Sequence, residues 1–275
     1  MSSNPVILED TAPSDAQPAR FSVPAPAITT ASILIVLLLW EYFGRNVNPL
    51  FGSYPTAIAR ELVVMAKEGT LWKAGWESTR PMAAGFLLAL VMGIPFGLLL
   101  GRFRWVEAAF GIYVTAGYAM PLIALVPLLV LWFGLGFAVK TAIVTLLTFF
   151  PICINTWIGV KSVPRSLLEV GKSFVASPFT ILTRIVLPAV VPYIMAGIRL
   201  AIGKAVIAII VAEFFTAVSG LGGVILTASN NFETARMLAP IIVIMAGAVI
   251  ATAAVGWLER RIAPWHVEIS GRGVQ

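Results

Sequence analysis

"SLLEVGKSFVASPFTILTRIVLP", residues 166–188, is a polar-flecked stretch in the middle of an otherwise oily chain. Pro164 can start a short helix in which Glu169 comes early and Lys172 late, the order the helix dipole favours. Ser177-Pro178 then reads as an N-cap followed by proline at the first helical position. A second helix follows, with Ile181, Leu182, Ile185 and Val186 on one side, and is expected to end near Leu187-Pro188. Two short helices joined by a bend would project from whatever the flanks form. A surface loop resting on lipid is the plainer reading of the same pattern.

The flanks decide the fold class. The chain is 59% hydrophobic and 12% charged, whereas a soluble domain is about half apolar and about a quarter charged. Several apolar runs reach about 20 residues, enough to cross about 30 Å of hydrocarbon at about 1.5 Å per residue. The expectation is an all-α polytopic membrane protein, because helices satisfy their own backbone groups where lipid cannot. The alternation of a membrane β-barrel is absent. About six spans are expected, at residues 28–43, 82–100, 108–133, 139–160, 193–216 and 238–258, the third interrupted by Pro121 and Pro127. Between the first two, "YPTAIARELVVMAKEGTLWKAGWES" carries Ile58, Leu62, Val63 and Met65 at the spacing of an amphipathic helix on a membrane face.

The ends read differently. Residues 1–27 are rich in Pro, Ala and Ser and hold both Asp residues, Asp10 and Asp15, so a disordered cytoplasmic tail is expected. They lack the basic start and small-residue cleavage site of a signal peptide, so the following span should be retained. The division is then a tail at 1–27, a transmembrane domain at 28–262 with a cytoplasmic loop at about 161–192, and a cytoplasmic tail at 263–275.

The net charge of +6 would suggest nucleic acid in a soluble protein, but here the bases flank spans, which suits lipid headgroups and no nucleic-acid partner. With both ends inside, the inner segments hold Arg20, Arg102, Arg104, Lys161, Arg165, Lys172, Arg184, Arg260, Arg261 and Arg272. The outer segments hold Arg45, Arg60, Lys67, Lys73, Arg80, Lys140 and Arg236, diluted by Glu61, Glu68 and Glu77. This places 166–188 in the cytoplasm.

Small residues mark packing faces. Gly93, Gly97 and Gly101 form a tandem GxxxG that lets another helix come close; direct substrate contact is the alternative. The fifth span repeats the device with Gly197, Ala201, Ala205, Ala208 and Ala212. That span also carries Lys204 and Glu213. Charges at membrane depth face protein or water, so both are candidates for structural pairing or for lining or gating a pathway, and Pro121 and Pro127 of the third span are further pathway or gate candidates. At nine residues apart they lie about 180° around the helix and cannot pair with each other.

Chemistry for an enzyme is missing. The single histidine, His266, lies in the tail, there is no HExxH, and Cys153 is alone in an apolar run, so no catalytic residue, metal ligand or cofactor is assigned. "GIRLAIGKA" imitates a phosphate-binding loop, but five residues separate Gly197 from Gly203 and Ala205 follows the lysine. Active transport would need an ion gradient or another protein for its energy.

The central stretch resembles the "EAA" loop of ABC importer inner-membrane permeases: E-A-A, three residues, G, nine residues, I-x-L-P. Glu169, Ile185, Leu187 and Pro188 fall at the expected spacing, while Val170 and Gly171 stand for the two alanines and Val175 for the glycine. Valine does not adopt a left-handed conformation cheaply, so the bend is expected to differ, with Ala176 and Ser177 taking over. "SYPTAI", "GIPFGLLLGRFR", "MPLIALVPLLVLWFGLG", "FFPICINTWIGVKSVP", "GIRLAIGKAVIAIIVAEFF" and "SGLGGVI" are similar, in order and spacing, to permeases for nitrate, sulfonate, taurine and related compounds. The resemblance implies the type I ABC importer permease fold in a bacterial inner membrane, with both termini cytoplasmic. It implies two copies of the chain forming the pathway, a separate ATPase pair carrying ATP and Mg below, and a periplasmic solute-binding protein above. It also implies a coupling helix at residues 169–177, comprising Glu169, Val170, Gly171, Lys172, Ser173, Val175, Ala176 and Ser177, that docks on the ATPase, with Leu187 and Pro188 counted among the same ATPase-coupling residues. Residues 219–236 would then form an outer loop near the binding protein. A gradient-driven secondary transporter using Lys204 and Glu213 is the competing reading, weakened by the lack of an inverted repeat.

Overall fold

The computed structural model describes residues 25–216 and 219–264, and among them every regular element is helical. The two tails, with Asp10, Asp15 and His266, lie outside the described residues, except that the first helix already begins at Ala25.

The helices are α1 (Ala25–Gly44), α2 (Pro55–Lys67), α3 (Thr70–Arg102), α4 (Arg104–Ala119), α5 (Val126–Phe133), α6 (Phe137–Lys161), α7 (Arg165–Ser173), α8 (Pro178–Ile181), α9 (Leu187–Thr216), α10 (Leu221–Asn230) and α11 (Thr234–Ile262). The core is a three-helix layer of α3, α6 and α9. Gly85, Gly93, Gly97 and Gly101 meet α6: a Cβ on Gly97 would lie 2.5 Å from the Cys153 carbonyl oxygen, and one on Gly85 would lie 2.6 Å from that of Thr141. Only glycine admits so close an approach of two backbones. The contacts advance together along both chains, from Gly85 at Val144, through Gly93 at Ile152, to Gly101 at Val160, so α3 and α6 run parallel. α9 runs against them. Its Val190 and Tyr193 meet Gly159, its Gly197 meets Pro151 and Asn155, and its Ala205, Ala208 and Ala212 share a cluster with Val139 and Ile143.

A parallel pair needs a return crossing between its members. α4 and α5 provide it, joined through a 3-10 turn at Leu122–Leu125 and bent by 90°. With this broken crossing the apolar spans number up to 6. The interruption expected within 108–133 is present, but it falls at Pro121 and not at Pro127. Pro121 makes the break: it has no N–H, and the Leu122 N–H turns back to the Met120 carbonyl at 2.8 Å in a tight turn. Pro127 lies in the first turn of α5, where a missing donor is harmless.

Two aromatic-basic girdles bound the molecule. At one end Arg80 lies over the Trp76 and Phe137 rings; at the other Lys161 lies over Trp157 and Arg261 over Trp257, with Trp105 exposed nearby in sequence to Arg104. Such rings settle at headgroup level. α1 stands apart, apolar on all sides and held at its C-terminal end, where Trp40 donates to the Ser53 carbonyl at 3.0 Å and Glu41 takes the Thr56 N–H at 3.0 Å. α2 is the expected amphipathic helix: Ile58 and Met65 are buried against Ala239 of α11, while Val63 is exposed.

Candidate functional site

Two sites stand out, one at each end of α9. The first is an elbow built from α7 and α8. Ser177 caps α8 by accepting the Thr180 N–H at 3.2 Å, and Pro178 occupies the first turn. Lys172 lies in the last turn of α7, but Glu169 lies in its second turn, so Glu169 is not an N-terminal dipole partner as first expected. The bend itself corrects a second expectation. Val175 does adopt the left-handed conformation, at φ 51°. The Ala176 N–H reaches the Gly171 carbonyl at 3.0 Å and the Val175 N–H reaches that of Lys172 at 2.8 Å. These two bonds make a Schellman cap with valine where glycine is usual. Ala176 and Ser177 do not replace that bend; they leave it.

The elbow is anchored on one side and bare on the other. Leu168, Ala176, Ile181, Ile185 and Val186 pack with Val160, Val163 and Val190, and a Cβ on Gly171 would lie 2.8 Å from the Ile185 side chain. Glycine there lets α7 lie close against the second arm. Opposite, Val170, Phe174, Val175 and Phe179 are exposed, Val175 at 89%. Glu169, Lys172 and Ser173 are exposed beside them. An apolar prominence rimmed by charge is the pattern of a docking surface.

The second arm does not end at Leu187-Pro188. Residues Pro178–Thr216 form one continuous helix of 39 residues. A π-turn at Leu182–Val186 prepares for Pro188: the Leu187 N–H bonds the Leu182 carbonyl, a wider step just before the residue that has no N–H to give. The elbow and the central span are therefore one rod.

At the far end of that rod lies a buried charge cluster. Glu213 is fully buried and takes the Ser78 hydroxyl at 2.7 Å, Lys140 Nζ at 3.2 Å and the Gly222 N–H at 2.8 Å. Ser78 Oγ accepts the Leu221 N–H at 2.9 Å, Glu77 accepts that of Gly220 at 3.1 Å, and Lys140 donates to the Ser219 carbonyl oxygen at 2.9 Å. Three consecutive N–H groups at the start of α10 are thus capped from α3 and α9, carboxylates at the positive end of a helix. Gly220, at φ 94°, has no room for a Cβ against the Glu213 carboxylate. Lys140, read from the sequence as an outer flanking base, is 2% exposed and belongs inside. Residues 219–236, read as a loop, contain α10. Beside it a cleft of about 660 Å³ opens between Lys73, Glu77, Asn231, Glu233 and Arg236.

The remaining candidates fall elsewhere. Gly93, Gly97, Gly101, Gly197, Ala201 and Ala205 lie at the core helix contacts. Lys204 lies apart from Glu213, its ammonium 5.2 Å from the centre of the Tyr118 ring, next to the Pro121 break. Lys140, Ser78 and Glu77 were missed in the sequence. The available signal was Glu213 itself, a buried acid that required a base and donors from other helices. Among the described residues no three His, Cys, Asp or Glu gather as a metal site.

Comparison with known proteins places this geometry. The profile of the family described as "Binding-protein-dependent transport system inner membrane component" matches residues 93–264. The chain is 28% identical over 249 residues to the taurine transport system permease protein TauC of Escherichia coli, covering 88% of this chain and 90% of that protein. It is 31% identical over 242 residues to the putative aliphatic sulfonates transport permease protein SsuC of the same organism, covering 88% and 92%. In fold it resembles the inward-facing MetNI methionine ABC transporter, with a TM-score of 0.55 at 18% identity over 70% of this chain and 95% of that chain. The chain belongs to the binding-protein-dependent inner-membrane component family, and it is a permease subunit of an ABC transporter.

Proposed function

We propose that two copies of this chain form the pathway of an importer for a small anionic or organic solute of the sulfonate or taurine kind. A solute-binding protein delivers the solute on the side of α10. A separate ATPase subunit, which carries the ATP and Mg, docks on each elbow from the cytoplasm. The observation that carries this reading is the elbow: exposed Phe174, Val175 and Phe179 on a support that is one continuous helix with the central span. ATP-driven closure of the docked subunits would move the apex, and a continuous helix would transmit that motion to the Glu213 cluster that holds the start of α10. Rigid-body coupling of this sort needs two states and a stiff connector.

The charge distribution supports a cytoplasmic elbow with both chain ends inside. Removing Lys140 from the outer bases sharpens the excess of Arg and Lys on the elbow side. A gradient-driven secondary transporter would leave the apolar apex without a purpose.

The test is ATP hydrolysis in proteoliposomes that hold the chain, its ATPase and, optionally, a loaded binding protein. Stimulation by the loaded binding protein, lost on Glu169→Lys, is the expected result. No association with an ATPase, together with gradient-driven uptake by the chain alone, would overturn the proposal.

A further inference from the structure

Lys204 presents an unusual problem of charge. It lies about 14 Å deeper along α9 than Glu213, by nine residues of helix rise, and so near the middle of the crossing. Three other bases on the long helices have acids: Lys140 has Glu213, Lys161 has Glu107 and Arg199 has Glu259. Among the described residues no carboxylate lies within ion-pair distance of Lys204. Its ammonium faces the Tyr118 ring instead, and Tyr118 is in the last turn of α4. The ring face and the negative end of that helix both attract a cation without pairing it with an acid.

The space next to it is shaped. A cavity of about 220 Å³ is lined by Lys204 and Tyr118, by the turn from Met120 to Ile123, and by Leu147 and Phe150. The walls are apolar apart from the ammonium and the phenol. A mostly apolar pocket with one or two convergent polar groups is the usual form of a small-ligand site. A single cation at one wall selects a single negative charge, and the apolar remainder selects a short hydrocarbon body. The volume lies below the range of about 300–1,000 Å³ usual for drug-sized ligands, which excludes large ring systems.

We propose that this pocket is a solute site within the permease, in which Lys204 holds the headgroup of a small organic anion such as an alkyl sulfonate and Leu147 and Phe150 hold its alkyl part. Tyr118 positions the ammonium. The 90° break at Pro121 forms one wall of the space. The inference rests on the permease reading and deepens it by naming a site and a ligand class on this chain.

The first test needs no ATPase. Thermal unfolding of the full-length purified chain is followed while ethanesulfonate is titrated, with diethyl sulfone as the neutral control. Saturable stabilisation by the anion alone is expected, kept in Lys204→Arg, lost in Lys204→Met, and weakened at least tenfold in apparent affinity by Ile123→Trp, which fills the cavity and leaves the charge. Equal stabilisation by the sulfone, or unaltered anion binding in Lys204→Met and Ile123→Trp, overturns the site. If Lys204→Met does not fold, Ile123→Trp and the neutral control decide alone. Uptake by the reconstituted complex separates the two readings. ATP-coupled uptake that is indifferent to both substitutions overturns the site and leaves the permease function standing, whereas absence of any ATPase association strikes the permease reading itself.

Discussion

Val175 is the residue at which the elbow bends, and it does so in a conformation that a β-branched side chain adopts at a cost of about 1–2 kcal/mol. The Schellman bonds from Val175 and Ala176 hold it there, and its side chain is left in solvent. Such strain persists only where the surroundings over-determine it, and an exposed apolar side chain at an apex is useful only to a partner. Val175→Gly should therefore separate the two effects. Amide exchange at residues 174–176 should slow by up to about tenfold, about 1.4 kcal/mol at most, because glycine accepts φ 51° freely. Association with the ATPase should weaken in a pull-down from detergent. Slower exchange with unchanged association would assign the valine no docking role. At the other end of the rod, Lys140→Met leaves the Glu213 carboxylate buried without its base. Breaking such a pair costs about 3–5 kcal/mol, whereas removing both charges costs far less. Thermal unfolding should show Lys140→Met strongly destabilised and Lys140→Met with Glu213→Gln substantially restored.

The helices depend on backbones that touch. α3 comes closest to α6 at Gly85, Gly93, Gly97 and Gly101, and Gly97 is the tightest of these against a carbonyl. Gly97→Leu would force the two helices apart along their length, an overpacking worth about 1–3 kcal/mol or more; the expected result is a chain recovered from membranes at reduced yield with a lower midpoint of thermal unfolding. Gly247, with nothing within 4 Å of an added Cβ, should accept the same change with little effect. This contrast also shows what the sequence made readable. Glycines four apart announce a close face whatever the partner is, and proline after a short apolar run announces a break, as Pro121 does. The partner itself is a long-range fact. Lys140 is just inside its span and reads as a flanking base, and only the antiparallel placing of α9 brings Glu213 to it. The passage of the helix through Pro188 was hidden for a local reason. A π-turn spends one extra residue to spare the proline its lost bond, and no composition marks it.

On the scale of the molecule, α8, the π-turn and α9 make a rod that joins an apolar apex to a buried charge cluster at opposite ends. If force passes along that rod, its stiffness matters more than any contact on its length. Leu187 is at the junction, part exposed at 37% and just before Pro188, which already contributes no N–H. Leu187→Gly therefore loosens the rod at its weakest point, for about 1 kcal/mol of helix stability, while leaving the apex, the Schellman bend and the Glu213 cluster chemically intact. The reconstituted complex should still assemble and still hydrolyse ATP, but the solute taken up per ATP should fall severalfold. Pro188→Ala, which restores a donor to the same turn, should not lower that ratio. Motion carried instead through the α3–α6 contact would give the opposite pattern, with coupling indifferent to Leu187→Gly and sensitive to conservative changes at Gly93. The ratio of uptake to hydrolysis, measured in the two variants side by side, therefore tells which helix carries the stroke.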